Sequence, residues 1–180
     1  MFKKLCLLTK KNFIKVSLLT LIIAVNITST SLAYTHLFGA LKFEDQYNIT
    51  YSYEQWGSYN YSSYVTQAIN AWNNSAARIY VKSTNERWGD IRIISTDWGT
   101  TGWHGHCTAP SILNPNISTI KINDRYRSSF ISDQAELIAH ELGHSFTLGH
   151  SGNDTLMRAQ GYRKSAIPTT DDVKGVNAKY

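Results

Sequence analysis

The sequence predicts an α+β domain over residues 34–180, and two kinds of pattern support this prediction. Segments 47–53 and 119–123 alternate apolar and polar side chains, as half-buried strands do. Segments 62–75 and 133–146 carry apolar residues at the three- and four-residue spacing of helices. Residues 34–180 form a stretch long enough for one domain with its own core.

The first 33 residues have the composition of a secretory leader. A basic start is formed by five lysines, Lys3, Lys4, Lys10, Lys11 and Lys15. A mostly apolar run over 16–27 follows, and Ser31-Leu32-Ala33 offers small residues at the −3 and −1 positions of a cleavage site. The run is shorter than the about 20 residues of a membrane span. We predict a signal peptide cut after Ala33 and a secreted, extracellular protein; an uncleaved anchor is the alternative.

The charge of the chain resides in this leader. Its five lysines account for the whole formal charge of +5, so residues 34–180 carry 13 basic and 13 acidic side chains. A near-neutral domain gives no reason to expect nucleic acid or anionic membranes as partners. The same residues contain one cysteine, Cys107, so an intramolecular disulfide is excluded there.

The elements before the centre of the chain follow from local patterns. The first strand places four apolar side chains on one face, namely Tyr47, Ile49, Tyr51 and Tyr53. The first helix has its apolar face at Val65, Ala68, Ile69 and Trp72, with Ser62 or Ser63 as N-cap. Segment 79–82 is a candidate short strand. We attribute the many Tyr and Trp residues to the core and a cleft wall rather than to a carbohydrate-binding platform.

A histidine pair in the next helix predicts a metal site. His140 and His144 are four residues apart, which on a helix separates them by about 40° around the axis and about 6 Å along it. Both imidazoles therefore project from one face and can share an ion. Asp133 is the expected N-cap of this helix, and Glu136 would complete a capping-box-like pair.

His150 is the candidate third ligand. A continuous helix would carry it too far along the axis, so the helix must end soon after Phe146. Gly149 can supply the bend, because glycine adopts positive φ without steric cost. Zinc in catalytic sites takes three protein ligands and leaves a fourth position open. A chance occurrence of the motif in an ordinary amphipathic helix is the alternative, and the third histidine argues against it.

These residues resemble those of the metzincin zinc peptidases, and most closely the matrixins of the bacterial, secreted, single-domain type. His140, Glu141, His144 and His150 fall on the family pattern H-E-x-x-H-x-x-G-x-x-H. The segment Asp154-Thr155-Leu156-Met157 resembles the family's methionine turn, which would place Met157 beneath the metal. The resemblance covers about residues 42–180.

The chain departs from the pattern at two places. Thr147 stands where the family has glycine, so either Thr147 keeps a negative φ while Gly149 takes the bend, or strain is stored at Thr147. After Met157 the family's proline and aromatic are replaced by residues 158–162. Cleavage specificity therefore does not carry over, although Ser151 and Tyr162 are expected to shape the pocket.

The resemblance implies a metzincin-like catalytic domain: a twisted mixed sheet with an antiparallel edge strand, a long active-site helix and a C-terminal helix. Segment 90–94 would be the central strand, and 100–107 the edge strand on which an extended substrate adds as one more strand. An ordinary surface hairpin is the alternative for 100–107. The closing helix lies in 168–180, capped by Thr170 or Asp171, and Asp171 and Asp172 match aspartates that bond back to the methionine turn.

The implied function is that of a secreted zinc endopeptidase. One catalytic Zn²⁺ would be held by His140, His144 and His150, with Glu141 as general base toward a zinc-activated water. Glu141 could instead only orient a ligand. One alternative function is a catalytically silent zinc protein that binds extended peptides on its edge strand. Another is a zinc hydrolase acting on something other than peptides, which a closed pocket would favour.

The expected partner is a protein or peptide substrate, with no nucleic acid, no stable membrane association after leader removal, and a monomeric state. Whether a structural zinc or calcium binds as well stays open. His104, His106 and Cys107 could form a second metal site, and the Cys107 thiolate could occupy the catalytic zinc. A plainer interpretation is that Cys107 is a small, half-buried apolar residue.

Overall fold

Five strands and three α-helices make up the regular structure of the described residues, which are 34–127, 134–161 and 163–180 of a computed structural model. The strands are β1 (Ile49–Gln55), β2 (Val81–Ser83), β3 (Ile91–Thr96), β4 (Gly105–Thr108) and β5 (Ser118–Asn123). The helices are α1 (Ser62–Asn73), α2 (Gln134–Ser145) and α3 (Thr170–Lys179), and a 3-10 turn covers Asp124–Tyr126. The predicted α+β class is confirmed.

The strands form one mixed sheet in the order β2-β1-β3-β5-β4. Strand β1 runs parallel to β2 and β3, β3 runs parallel to β5, and β4 pairs antiparallel with β5. Ile93 of β3 pairs with Ile120 of β5, and Ile120 pairs in turn with Cys107 of the edge strand β4. The sheet therefore has the predicted mixed character, with an antiparallel strand at one edge.

Helices α1 and α2 cover one face of this sheet and enclose the core. The buried face of α1 is the predicted one, consisting of Val65, Ala68, Ile69 and Trp72. The indole Nε1 of Trp72 donates to the Ala139 carbonyl of α2 at 2.9 Å, and its ring meets Phe146 edge-on with centroids 5.2 Å apart. Because Trp72 is fully buried, this contact fixes the position of α2 against α1.

Most predicted elements are present with shifted ends. The first strand begins at Ile49 rather than Tyr47, and the edge strand covers Gly105–Thr108 rather than 100–107. The predicted serine N-cap of α1 is wrong, because Tyr61 occupies that position and Asn60 Oδ1 accepts from the Ser62 amide at 2.8 Å. The cap of α3 is Thr169, not Thr170 or Asp171.

Three predictions lie outside the described residues and stay predictions. These are the leader over 1–33, the N-cap Asp133 and the pocket residue Tyr162. Within the parts of the chain that are described, none of the helices combines the length and the apolar character needed to cross a bilayer.

Candidate metal centre

Helix α2 places two histidines side by side, as their spacing predicts. The His140 and His144 rings lie 4.7 Å apart in an edge-to-face arrangement. Each ring donates its Nδ1–H to a backbone carbonyl, His140 to Leu156 at 2.8 Å and His144 to Leu148 at 2.7 Å. Since Nδ1 is used in this way, Nε2 of both rings is left free to act as a ligand.

The helix ends at the point where the third histidine requires it to end. The Leu148 amide donates to the Gly143 carbonyl at 3.0 Å, and the Thr147 amide donates to the His144 carbonyl at 2.9 Å. These two bonds form a Schellman motif, whose left-handed residue is Thr147 with φ of 77°. The alternative in which Gly149 takes positive φ is therefore wrong, and the β-branched Thr147 holds the strained conformation.

Gly149 has a different role, since it allows a close approach of the N-terminal segment. A Cβ at this position would lie 2.5 Å from Thr35 Oγ1. The Gly149 amide donates to the Thr35 carbonyl at 2.8 Å, and the Thr35 hydroxyl donates to the His150 carbonyl at 2.6 Å. Thr35 thus clamps the loop that carries His150, a contact for which the sequence holds no local signal.

The turn brings His150 back to the two helical histidines. Its ring centroid lies 5.3 Å from that of His140 and 4.9 Å from that of His144. One ligand nitrogen from each ring lies within 4.8 Å of the others, a group that could hold a metal ion. Within the described ranges, no second group of three such ligands is assembled.

Burial keeps the helical histidines uncharged. Desolvation, followed by repulsion from His140, lowers the pKa of His144 to about 3. Desolvation also lowers the pKa of His140. Both rings are therefore neutral near pH 7, which is the form that binds metal ions.

Glu141 is buried between α2 and the edge strand. Its side chain is 5% exposed, and Oε2 has no hydrogen-bond partner among the described residues. Burial raises the pKa of this carboxyl to about 8. A Cβ at Gly105 would lie 2.6 Å from Glu141 Oε1, so only glycine at that position of β4 leaves room for the carboxyl.

Met157 is buried against α2, at Gly143. It is 1% exposed, and a Cβ at Gly143, between the two helical histidines, would lie 2.2 Å from its Sδ. The turn is held by Asp172, whose carboxylate accepts from the Leu156 amide at 3.0 Å and the Met157 amide at 3.2 Å. Asp172 makes this connection rather than Asp171.

A cleft of about 410 Å³ opens beside Glu141 and His150. One wall is formed by residues 102–105 leading into β4, and a second wall by Leu156 and residues 158–161. Ser151 does not line this cleft; its hydroxyl lies 2.8 Å from that of Thr155, and its amide donates to the Met157 carbonyl. The expectation that Ser151 shapes a specificity pocket stays a prediction.

Glu136 supports the second wall. This buried carboxylate accepts from Arg158 Nη2 at 2.8 Å, from the Arg163 amide at 2.6 Å and from the Ser165 amide at 3.0 Å. The sequence suggested only a capping function for Glu136. An Arg158 partner twenty-two residues away could not be recognised from local spacing.

The proposed second site of His104, His106 and Cys107 is not assembled. The Cys107 Sγ points inward, 3.3 Å from Ser145 Oγ and 3.5 Å from Ser118 Oγ. The His104 ring contacts Tyr126, whereas the His106 ring contacts Trp103. Burial raises the pKa of the Cys107 thiol to about 12, so the thiolate needed to occupy a metal is disfavoured.

The donor set suits zinc. Zn²⁺ accepts imidazole ligands, and three protein ligands leave a fourth position open. The orphaned oxygen of Glu141 supports the same assignment, because a divalent cation nearby would favour its ionised form despite burial. The residues present therefore fit the ion that the motif implies.

The chain shares a distant similarity with a known metallopeptidase. It is 29% identical over 101 residues to matrix metalloproteinase-26 from Homo sapiens, covering 51% of this chain and 38% of the human protein. The chain thus spans well under half of the length of that relative. No family model matches. Together with the histidine group, this similarity suggests a matrixin-like relationship.

Proposed function

We propose that this chain is a zinc endopeptidase with a metzincin-like catalytic domain of the matrixin type. The observation that carries the proposal is the convergence of His140, His144 and His150 next to the orphaned, buried carboxyl of Glu141. A chance motif in an ordinary helix would require neither the Schellman turn nor the return of His150. The similarity to a matrix metalloproteinase supports the same proposal.

The three histidines would hold one Zn²⁺, with the backbone carbonyls of Leu156 and Leu148 orienting the two helical rings. When bound, the ion would supply Lewis-acid chemistry, lowering the pKa of a coordinated water and polarising the substrate carbonyl. Met157 would form an apolar support below the ligands, because it fills the space at Gly143.

Glu141 would act as general base. Its carboxylate would accept a proton from the attacking water and donate it to the departing amine nitrogen, so that the peptide bond breaks with no net change in the enzyme. Its burial against Gly105 keeps bulk water from competing for the carboxylate.

The edge strand would bind the substrate. β4 pairs with β5 on one side and is the outermost strand of the described sheet, so its other side can take an extended peptide as a further strand. The cleft lies directly beside this strand, with Gly102 and Gly105 permitting close approach of a main chain. A cleft along a sheet edge favours a polypeptide over a small molecule as substrate.

Export is a separate part of the proposal and rests on the leader composition alone. We propose that residues 1–33 direct secretion and are removed after Ala33. N-terminal sequencing of the protein recovered from culture medium tests this, with Tyr34 as the expected first residue. Retention of the leader in the membrane fraction would contradict it.

The experiment that tests the enzymatic proposal is hydrolysis of a denatured protein by the purified, zinc-loaded chain. Glu141→Gln should lower kcat/KM by about 10² to 10⁴-fold, because general-base catalysis contributes this much. Glu86→Gln, an exposed glutamate remote from the cleft, is the matched control and should leave kcat/KM unchanged. A chelator should abolish cleavage, and added zinc should restore it.

The same experiment separates the alternatives. If the folded, zinc-loaded chain binds the denatured protein without cleaving it, the silent peptide-binding function replaces the proposed one. If Glu141→Gln cleaves as fast as the unchanged chain, Glu141 is not the base.

A further inference from the structure

A continuous row of cations and indole rings crosses the sheet, outside the cleft. We call it the outer strip, and it consists of Arg87, Trp88, Arg92, Trp56, Trp98 and Lys121. Each member contacts the next one along the row. The centroid of the Trp88 ring lies 5.5 Å from Arg87 Cζ and 5.6 Å from Arg92 Cζ. On its other side, Arg92 Cζ lies 5.5 Å from the Trp56 ring.

The row continues toward the edge of the sheet. The Trp56 and Trp98 rings have centroids 6.3 Å apart, and Lys121 Nζ lies 4.6 Å from the centroid of Trp98. All of the cation–ring distances are within the range in which a cation is attracted to an aromatic face. The strip thus runs without interruption from Arg87, which precedes β3, past Trp56 at the end of β1, to Lys121 in β5.

Strand register places the strip on the face opposite α2. Glu54, Ile94 and Lys121 occupy one row across β1, β3 and β5, and side chains in a row share a face. Arg92 lies two residues before Ile94 and therefore points the same way. Cys107 pairs with Ile120, the residue before Lys121, and so lies on the other face, where it contacts Ser145 of α2. The strip therefore lies away from the histidine group.

Glu54 holds the centre of the strip in one conformation. Its carboxylate accepts from Arg92 Nε and Nη2, the latter at 3.0 Å, and from the indole Nε1 of Trp56 at 3.1 Å. The arginine hydrogen bonds lower the pKa of Glu54, so it stays ionised. A bidentate pair that also fixes a neighbouring indole is a preorganised arrangement rather than a loose surface contact.

The strip is nevertheless open to solvent. Trp56 is 56% exposed and Trp88 is 61% exposed, although large aromatic side chains are costly to leave in water. Our attribution of the tryptophans to core and cleft wall holds for Trp72 and Trp103 but is wrong for these two. Three cations share the strip with one carboxylate, so its local charge is positive while residues 34–180 are neutral.

We propose that the outer strip binds an acidic polysaccharide, one whose sugar rings carry carboxylate or sulfate groups. The C–H faces of sugar rings would pack on Trp56 and Trp88, and the anionic groups would pair with Arg87 and Lys121, whereas Arg92 is already paired with Glu54. Rings and cations are interspersed along the row, as apolar ring faces and charges are along such a polymer. Single-stranded nucleic acid could stack its bases on the same indoles, and the test below distinguishes it from an acidic polysaccharide.

The test measures binding of the purified full chain to two anionic polymers and their uncharged counterparts. Polygalacturonate is compared with its methyl-esterified form, and dextran sulfate with dextran; affinity electrophoresis and indole fluorescence report binding. The first pair tests carboxylate as the anion and the second tests sulfate. At least one anionic polymer should bind and shift the fluorescence, whereas neither neutral polymer should.

Two variants locate the site. Trp88→Ala removes a ring, Lys121→Gln removes a charge while keeping the chain length, and each should weaken binding at least about fivefold. Tyr47→Ala is the matched control, because this tyrosine is 57% exposed but precedes β1, at the opposite end of the strand from Glu54. Melting temperatures verify that all three variants fold. If Trp88→Ala does not fold, Lys121→Gln alone tests the site.

Four results would overturn the proposal: no binding of either anionic polymer, equal binding of the neutral forms, tighter binding of oligothymidylate than of both polysaccharides, or equal weakening by Tyr47→Ala. Peptide hydrolysis is measured in parallel, and none of the variants lies in the cleft. The outcome therefore does not depend on whether the chain is a peptidase.

Discussion

The candidate metal centre has two halves that are positioned in different ways. His140, Glu141 and His144 stand on one helix, where the 3.6-residue period alone determines which side chains meet. His150 and Met157 stand on segments without regular structure. Their positions depend on hydrogen bonds from remote parts of the chain, Thr35 for the first and Asp172 for the second.

The two halves also differ in contact with water. Glu141 and the helical histidines are buried or partly buried, whereas His150 is exposed. The helical half is thus rigid and poorly solvated, and the loop half is held by a small number of specific bonds. Substitutions in the helical half should act through burial of charge, and those in the loop half through geometry.

The largest effect is expected in the helical half, on the pH dependence of stability in the metal-free protein. The pKa of Glu141 is about 8 in the folded state and 4.5 as an ordinary glutamate. The folded state therefore binds more protons than the unfolded state between these values, and the free energy of unfolding falls as pH rises through this window. The Glu141→Gln variant has no carboxyl at this position, so its free energy of unfolding lacks this pH dependence.

As pH rises from 5 to 8, the free energy of unfolding of Glu141→Gln should therefore increase relative to that of the unchanged chain, by as much as about 4 kcal/mol. Urea unfolding at several pH values measures it. Protonation of His140 and His144 occurs in both proteins and cancels in the comparison. Parallel stability curves for the two proteins would show that Glu141 is not desolvated.

A smaller effect is expected in the loop half from Asp172→Asn. The carboxylate accepts from the amides of Leu156, Met157 and Thr169, the last at 2.7 Å, while being 1% exposed. An amide group would turn one acceptor into a donor that faces these N–H groups, at a cost of about 2–3 kcal/mol in unfolding free energy.

Zinc affinity should fall in the same variant, because the Leu156 carbonyl orients His140. Denaturant unfolding and zinc titration check both effects. Asp154→Asn, an exposed aspartate of the same turn, is the control and should be neutral. If Asp172→Asn is as stable as that control, the turn is held by other contacts.

The smallest effect is expected at the junction of the two halves, from Thr147→Gly. Thr147 has φ of 77°, and its buried hydroxyl has no partner among the described residues. Glycine removes about 1–2 kcal/mol of backbone strain from the folded state. It also loses more chain entropy on folding, which lowers the free energy of unfolding by about 0.5–1 kcal/mol. With loss of the unpaired hydroxyl, the free energy of unfolding should rise by about 1 kcal/mol.

Thermal unfolding measures this gain, and zinc affinity should be unchanged because the turn keeps its shape. Thr147→Ala, which keeps the Cβ but removes the hydroxyl, should gain less. A lower melting temperature for Thr147→Gly would mean that packing of the threonine methyl group outweighs the strain.

Local periodicity was enough to predict most of the secondary structure. The apolar face of α1, the helix that bears His140 and His144, and the alternation in β5 depend on neighbours within a few residues. Helix caps were less predictable. Thr169 caps α3 because Asp172 reaches back to it, while the adjacent Thr170 and Asp171 have equally suitable side chains.

The three histidines, the glutamate and the α+β class could all be predicted from the amino-acid sequence, because helical and strand periods are properties of neighbouring residues. Tertiary packing set the Thr35 clamp, the link from Glu136 to Arg158 and the exposure of Trp56 and Trp88. Each of these depends on a contact with a residue distant in the chain or on the face of the sheet that a helix leaves uncovered. Such contacts arise from packing, on which no local pattern carries information.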